Sequence, residues 1–159
     1  MKTNQLLLAA LLAAFTISCS GKKNNTDNYD INGTGNEAPK EEKASTRVDL
    51  ESKGVGPITS VDIPDTIDEE LAKTGEGVFK QSCVICHKVE DKFIGPAVKG
   101  VVDRRSPEWI MNMILEPAKM LRDDPLAKDL FLEFNGSPMS DMGLTEEQAR
   151  AVLEYFRTL

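Results

Sequence analysis

Apolar residues recur at helical spacing through residues 63–159, and no stretch alternates apolar and polar residues as a half-buried strand would. Leu71, Gly75, Val78 and Phe79 share one face of a first helix. Thr66 is its expected N-cap, and Asp68, Glu69 and Glu70 suit the positive end of its dipole. Gly75 is a poor helix former, so its presence there implies close approach of a second helix. Ser106-Pro107-Glu108 opens another helix through Trp109, Ile110, Met113 and Ile114, which stops before Pro117. Asp124-Pro125 repeats the signal for Leu126 to Phe134, closed by Asn135-Gly136. Thr145-Glu146-Glu147-Gln148 reads as a capping box before a last helix with Ala149, Val152, Leu153 and Phe156 on one face. The expectation is an all-α domain over residues 63–159, with irregular backbone between about 88 and 103 and a turn at Gly95-Pro96. Its aliphatic core is modest for its size, so a buried cofactor would supply much of what is missing.

Upstream the pattern changes. Lys2 precedes an apolar run from Leu6 to Ile17 that ends at Ser18-Cys19. A positive start, a short apolar run and a small residue before the cut describe a secretory signal over residues 1–18. The run is too short to span a bilayer comfortably. Thr16-Ile17-Ser18-Cys19 resembles the lipobox of bacterial lipoproteins, which implies acylation of Cys19 and a lipid anchor in the cell envelope. Residues 19–62 are rich in Asn, Gly, Lys, Glu, Ser and Thr, with Tyr29 as their only aromatic. Such a segment buries too little apolar surface to offset ordering entropy, so it is expected to be a disordered tether. As a flexible coil it would reach roughly 35 Å.

The formal charge of −7 sits mainly on residues 63–159. An acidic surface repels phosphate backbones and argues against nucleic acid as a partner. It would steer a basic-faced protein.

The chain has three cysteines, and an odd count in an exported protein needs an explanation. Lipidation accounts for Cys19. The other two lie in Cys83-Val84-Ile85-Cys86-His87, a C-x-x-C-H motif, the attachment signature of c-type haem. Thiols at this spacing reach the two vinyl groups on one porphyrin edge, and the next residue, His87, lies beneath the ring to ligate iron. No disulfide is then left to form. A structural zinc site would need more Cys or His than the domain contains, and a thioredoxin-type C-x-x-C belongs beside a βαβ pattern that is absent. His87 is the only histidine in the chain, so any second axial ligand must be of another type. Methionine is the natural one, and His/Met ligation raises the reduction potential. Met111 and Met113 lie among apolar helix positions, where core packing is the simpler role. Met139 and Met142 lie in the loop before the last helix. Met139 is preferred, with Met142 next and Met120 third.

These residues together resemble the class I monohaem cytochromes c, over about residues 68–159. The order matches: Gly75 and Phe79, which in that family pack against an aromatic of the last helix (here Tyr155 or Phe156); C-x-x-C-H; Gly95-Pro96; a loop methionine; then a helix opening Leu-Thr-Glu-Glu. The resemblance implies four to five helices wrapped around one covalently bound haem c with its iron. It implies that the Pro96 carbonyl accepts a hydrogen bond from His87, and that Arg104, Arg105 or Trp109 contacts the haem propionates. Relatives often carry Met-Pro at the ligand; here Pro138 precedes Met139 and Ser140 follows it.

The expected function is single-electron transfer on the periplasmic side, by a lipid-anchored carrier that is not itself an enzyme. Peroxidase-like or gas-binding chemistry needs an open sixth position and distal acid–base groups. The run Arg104-Arg105-Ser106-Pro107-Glu108-Trp109-Ile110, with Glu116-Pro117 and Asp124-Pro125, loosely resembles lipoprotein cytochromes that accompany nitrous oxide reductase. A respiratory oxidase or another reductase is an equal candidate partner.

Overall fold

A computed structural model describes residues 42–159. The signal segment 1–18, the lipidation site Cys19 and the tether up to residue 41 lie outside the described residues. Among the described residues there are five α-helices and no β-strand: α1 Glu69–Ser82, α2 Pro107–Leu115, α3 Pro117–Asp123, α4 Pro125–Glu133 and α5 Glu146–Phe156. A single turn of 3₁₀ helix spans Val101–Asp103. No described helix is long and apolar enough to cross a membrane.

Helices α1 and α5 cross at close range. Gly75 makes this possible, because a Cβ there would collide with the Ala151 carbonyl and lie 2.8 Å from the Val152 nitrogen. One turn on, Phe79 packs with ring centroids 5.5 Å from Tyr155 and 5.8 Å from Phe156, so both aromatics of α5 take part. Ala149, Val152 and Leu153 fill the α5 side of this core. The crossing is tied at its end by Glu154, fully buried, whose carboxylate accepts from the Asp68 N–H at 2.9 Å and from Arg150 and Arg157.

Asp68, and not Thr66, caps α1: its side chain accepts from the Leu71 N–H at 3.0 Å. Three acids in a row read as dipole partners within the first turn; the first of them, Asp68, instead has extended backbone and stands just before the first helical residue. Ser106, Asp124 and Thr145 cap α2, α4 and α5 as their sequence signals require, with the Thr145–Gln148 capping box complete. Helix α3 was not expected. Pro117 reads in the sequence as a stop, but it opens the first turn of a new helix, where its missing N–H would have had no partner anyway.

The tether expectation is corrected over residues 42–62. These residues pack on α2, α3 and α4 as a strap, with Ala44 and Ile58 buried. Buried polar side chains of the helices hold it. Asn112, without exposure, accepts from the Ile58 N–H at 2.9 Å and donates to the carbonyls of Lys53 and Ile58, each at 2.9 Å. Ser106 Oγ donates to the Ser52 carbonyl at 2.5 Å, and the Val55 N–H points at Met120 Sδ at 3.0 Å. Glu133 accepts from the Ser45 N–H and hydroxyl at 2.8 and 2.6 Å. The ordered body therefore begins by residue 42 rather than at 63.

Candidate haem site

Helix α1 ends in the motif. The Cys83 N–H closes the helix on the Phe79 carbonyl, and the N–H groups of Cys86 and His87 both donate to the Cys83 carbonyl, at 3.0 and 2.8 Å. This tight turn puts both thiols and the imidazole beside one cavity of about 370 Å³, in the range of cofactor sites. No disulfide joins Cys83 and Cys86. Burial pushes the Cys83 thiol up, and Cys86 adds to the shift.

His87 is fixed by the loop after the motif. Its Nδ1 donates to the Pro96 carbonyl at 2.9 Å, since a carbonyl can only accept. Burial lowers the imidazole pKa, partly offset by that hydrogen bond, so the ring is neutral with the Nε2 lone pair free. Gly95 makes room for it: a Cβ there would stand 2.5 Å from His87 Cε1. The Gly95 N–H returns to the Cys86 carbonyl at 2.9 Å, which closes the loop. Gly95-Pro96 thus serves the histidine twice, once by leaving space and once by orienting the ring.

The opposite wall comes from the loop before α5 and from α2 and α4. Met139 and Met142 both line the cavity; Met139 is half-buried against the core and Met142 is exposed. Met113 of α2 lines it as well, whereas Met111 and Met120 are buried elsewhere in the core. Trp109 lines the cavity with its ring, while its Nε1–H is engaged by Asp124 at 3.2 Å. Arg104 lies at the rim, with both terminal nitrogens on the Lys99 carbonyl at 3.1 Å. Its neighbour Arg105 is 3 % exposed, lines the same cavity and stacks 5.3 Å from the Trp109 ring. Ser45 of the strap also reaches the cavity, and nothing in the polar sequence of residues 42–62 pointed to it.

Two neighbouring cysteines with no disulfide between them, an imidazole with one committed nitrogen, apolar walls and thioethers opposite fit an iron porphyrin held through sulfur and nitrogen. Residues 72–159 match the family model described as cytochrome c. The chain belongs to the cytochrome c family. That family carries one covalently bound haem c with iron. Among curated cytochromes c, the cytochrome c2 of Rhodopseudomonas palustris is 46% identical over 41 residues, which are 26% of this chain and 29% of that one. The cytochrome c-type cyt cy of Rhodobacter capsulatus is 33% identical over 105 residues, 60% of this chain and 52% of the other. The chain thus spans about half or less of these relatives. A solved cytochrome c from Rhodothermus marinus is 46% identical, with a TM-score of 0.63, over 65% of this chain and 88% of that one. The cytochrome c fold explains why an all-helical body of this size encloses a cavity: the cofactor takes the place of part of the core.

Proposed function

We propose that the protein is a single-electron carrier, not an enzyme, held to a bacterial envelope membrane through Cys19 with its haem domain in the periplasm. The observation that carries the electron-transfer reading is the pairing of one fixed imidazole with loop methionines across an apolar cavity. Cys83 and Cys86 would hold haem c covalently; His87 Nε2 would be one axial ligand and Met139 the other. When bound, the haem supplies one iron that alternates between ferrous and ferric states. The chain supplies the rest. Pro96 keeps the imidazole from turning, and the helix that carries the thiols is tied to α5 through Gly75 and Phe79. A mostly apolar pocket whose histidine is held by Pro96 and whose thiol-bearing helix is packed on α5 would move little between oxidation states, as an electron carrier requires. Peroxidase-type chemistry would need a distal base, and the chain has no histidine besides His87.

The partner is proposed as a respiratory oxidase or reductase, nitrous oxide reductase among them. Redox encounters of this kind use small interfaces. The anchor reading rests on the lipobox-like Thr16-Ile17-Ser18-Cys19 and the apolar run before it.

The test is a redox-monitored spectrum of the purified holoprotein and of Met139→Ala and Met142→Ala. The weak far-red band of a sulfur–iron bond should vanish in Met139→Ala and persist in Met142→Ala. Its persistence in both would end the loop-methionine assignment, and a wild type without haem absorption would end the carrier reading.

A further inference from the structure

Arg105 is a buried cation with an incomplete set of partners. Its guanidinium donates to the carbonyls of Arg47 and Ala44 on the strap, the latter at 2.5 Å, and to the Arg104 carbonyl at 2.7 Å. Among the described residues no carboxylate lies within ion-pairing distance of it; Asp49 and Asp124 act on it only from further off, and Arg47 and Arg104 oppose them. Three carbonyls satisfy hydrogen bonds but leave the charge uncompensated. An isolated buried charge is costly unless an anion completes it. The guanidinium has more N–H donors than these partners use, and the residue lines the cavity.

Two arginines stand side by side here, and the fold treats them differently. Arg104 is half-buried at the rim, and its charged end is spent on the Lys99 carbonyl. Arg105 is fixed on three sides by backbone, with the Trp109 ring against its face. Its orientation depends on the strap. The strap in turn is pinned by Ser45 to Glu133, by Arg47 to Asp129 at 2.9 Å, and by the Asp49 N–H to the Arg104 carbonyl at 2.9 Å.

We propose that residues 44–47 are a positioning segment of the redox site: their carbonyls hold the Arg105 guanidinium at the cavity wall, where its charge faces the carboxylates of the bound haem and favours the reduced iron. The proposal rests on the electron-carrier reading. It makes the stretch between the membrane anchor and the helices part of what sets the potential. A fixed cation near the iron stabilises the state with one less positive charge, so its loss lowers the reduction potential.

The experiment is a redox titration, followed by haem absorption, of the full-chain holoprotein and its variants at about 1 M ionic strength, where a Debye length of about 3 Å suppresses exposed charges. Arg105→Gln should shift the one-electron equilibrium towards the oxidised form about tenfold, equivalent to about 59 mV. Deletion of residues 42–48 should shift it in the same direction by a similar factor. The two combined should go no further than either alone, because both act through one guanidinium. Arg105→Lys keeps a charge but cannot span the strap carbonyls as a fork, and should give at least half of the Gln shift; it decides the matter if the deletion does not fold. Limited proteolysis should cut the strap faster in Arg105→Gln than in wild type. An unchanged potential in Arg105→Gln overturns the proposal. So do additive shifts, or a wild-type potential in the deletion or in Arg105→Lys. Retention of haem and of the far-red band in every variant keeps this outcome separate from the carrier reading, which only a haem-free wild type would remove.

Discussion

The crossing of α1 with α5 and the seam between the strap and α2 are both buried, yet they are built from opposite materials. At the crossing, shape does the holding: a glycine lets backbones meet, and Phe79, Tyr155, Phe156, Val152 and Leu153 fill the space around it. At the seam, hydrogen bonds do it. Arg105, Ser106 and Asn112 are all buried polar residues, and each donates from its side chain to strap carbonyls. A shape-based contact fails when an atom is added. A hydrogen-bonded one fails when a partner is removed and its mates stay buried without water.

The largest expected effect comes from adding one atom at the crossing. In Gly75→Ala the new Cβ meets the Ala151 carbonyl and the Val152 nitrogen, which are backbone and cannot rotate away. Overpacking in a well-filled core costs about 1–3 kcal/mol, and a backbone obstacle puts this case at the top of that range or beyond it. Denaturant unfolding of the holoprotein should show it. A loss below about 1 kcal/mol would mean that the helices can separate slightly at no great cost, and that the crossing is looser than described.

Removal of a side chain at the seam comes next. Asn112→Ala leaves the Ile58 N–H and the carbonyls of Lys53 and Ile58 without their partners. Buried unsatisfied groups cost about 1–3 kcal/mol. The cost can be cut if residues 53–58 lift away and find water. Amide hydrogen exchange separates the alternatives: faster exchange confined to the strap marks local release, while faster exchange throughout marks global loss. We expect local release, with a stability loss near about 2 kcal/mol. Wild-type protection across residues 53–58 in this variant would show that apolar contacts through Ile58 hold the strap unaided.

The same contrast decides what the sequence could tell. The crossing was legible because it rests on periodicity: apolar residues at helical spacing and one glycine out of place in the middle of them. The site was legible where spacing encodes chemistry, as in Cys83, Cys86 and His87, and where Gly95-Pro96 marks a turn. The strap was not legible, because its polar composition is what a disordered segment also has. What orders it are side chains from α2 and its N-cap, more than fifty residues away, and no local pattern reports them. Arg104 and Arg105 show the same limit at one position. They sit at the junction of a 3₁₀ turn with α2, where neither period applies, so which of them turns inward was open. Helix α3 escaped because its seven residues are too few for a periodic face and Pro117 reads equally well as an end or a beginning.

The smallest expected effect combines both materials, since Glu154 brings a charge to the shape-built crossing. Burial pushes its carboxyl pKa up, but the Asp68 N–H, Arg150 and Arg157 together pull it further down, so the net shift is downward from 4.5. The sign follows directly. A carboxyl with a lower pKa folded than unfolded stabilises the fold fully above the unfolded value, and that contribution is lost as pH falls through the folded value. Glu154→Gln removes the charge at every pH. Near neutrality it should cost about 1.5 kcal/mol, the lower end for hydrogen bonds to a charged group, because Arg150 and Arg157 can turn partly to water. Stability measured against pH should therefore show two curves, apart at pH 7 and closing together below about pH 4.5 as the wild-type carboxyl takes up its proton. Arg157 also donates to the Pro64 carbonyl at 2.6 Å, so the chain just before α1 stays tied in the variant and the helix start is not lost with the charge. A gap that stayed constant from pH 7 to pH 3 would assign the loss to packing of the amide rather than to the ion pairs, and the crossing would then be held by shape alone.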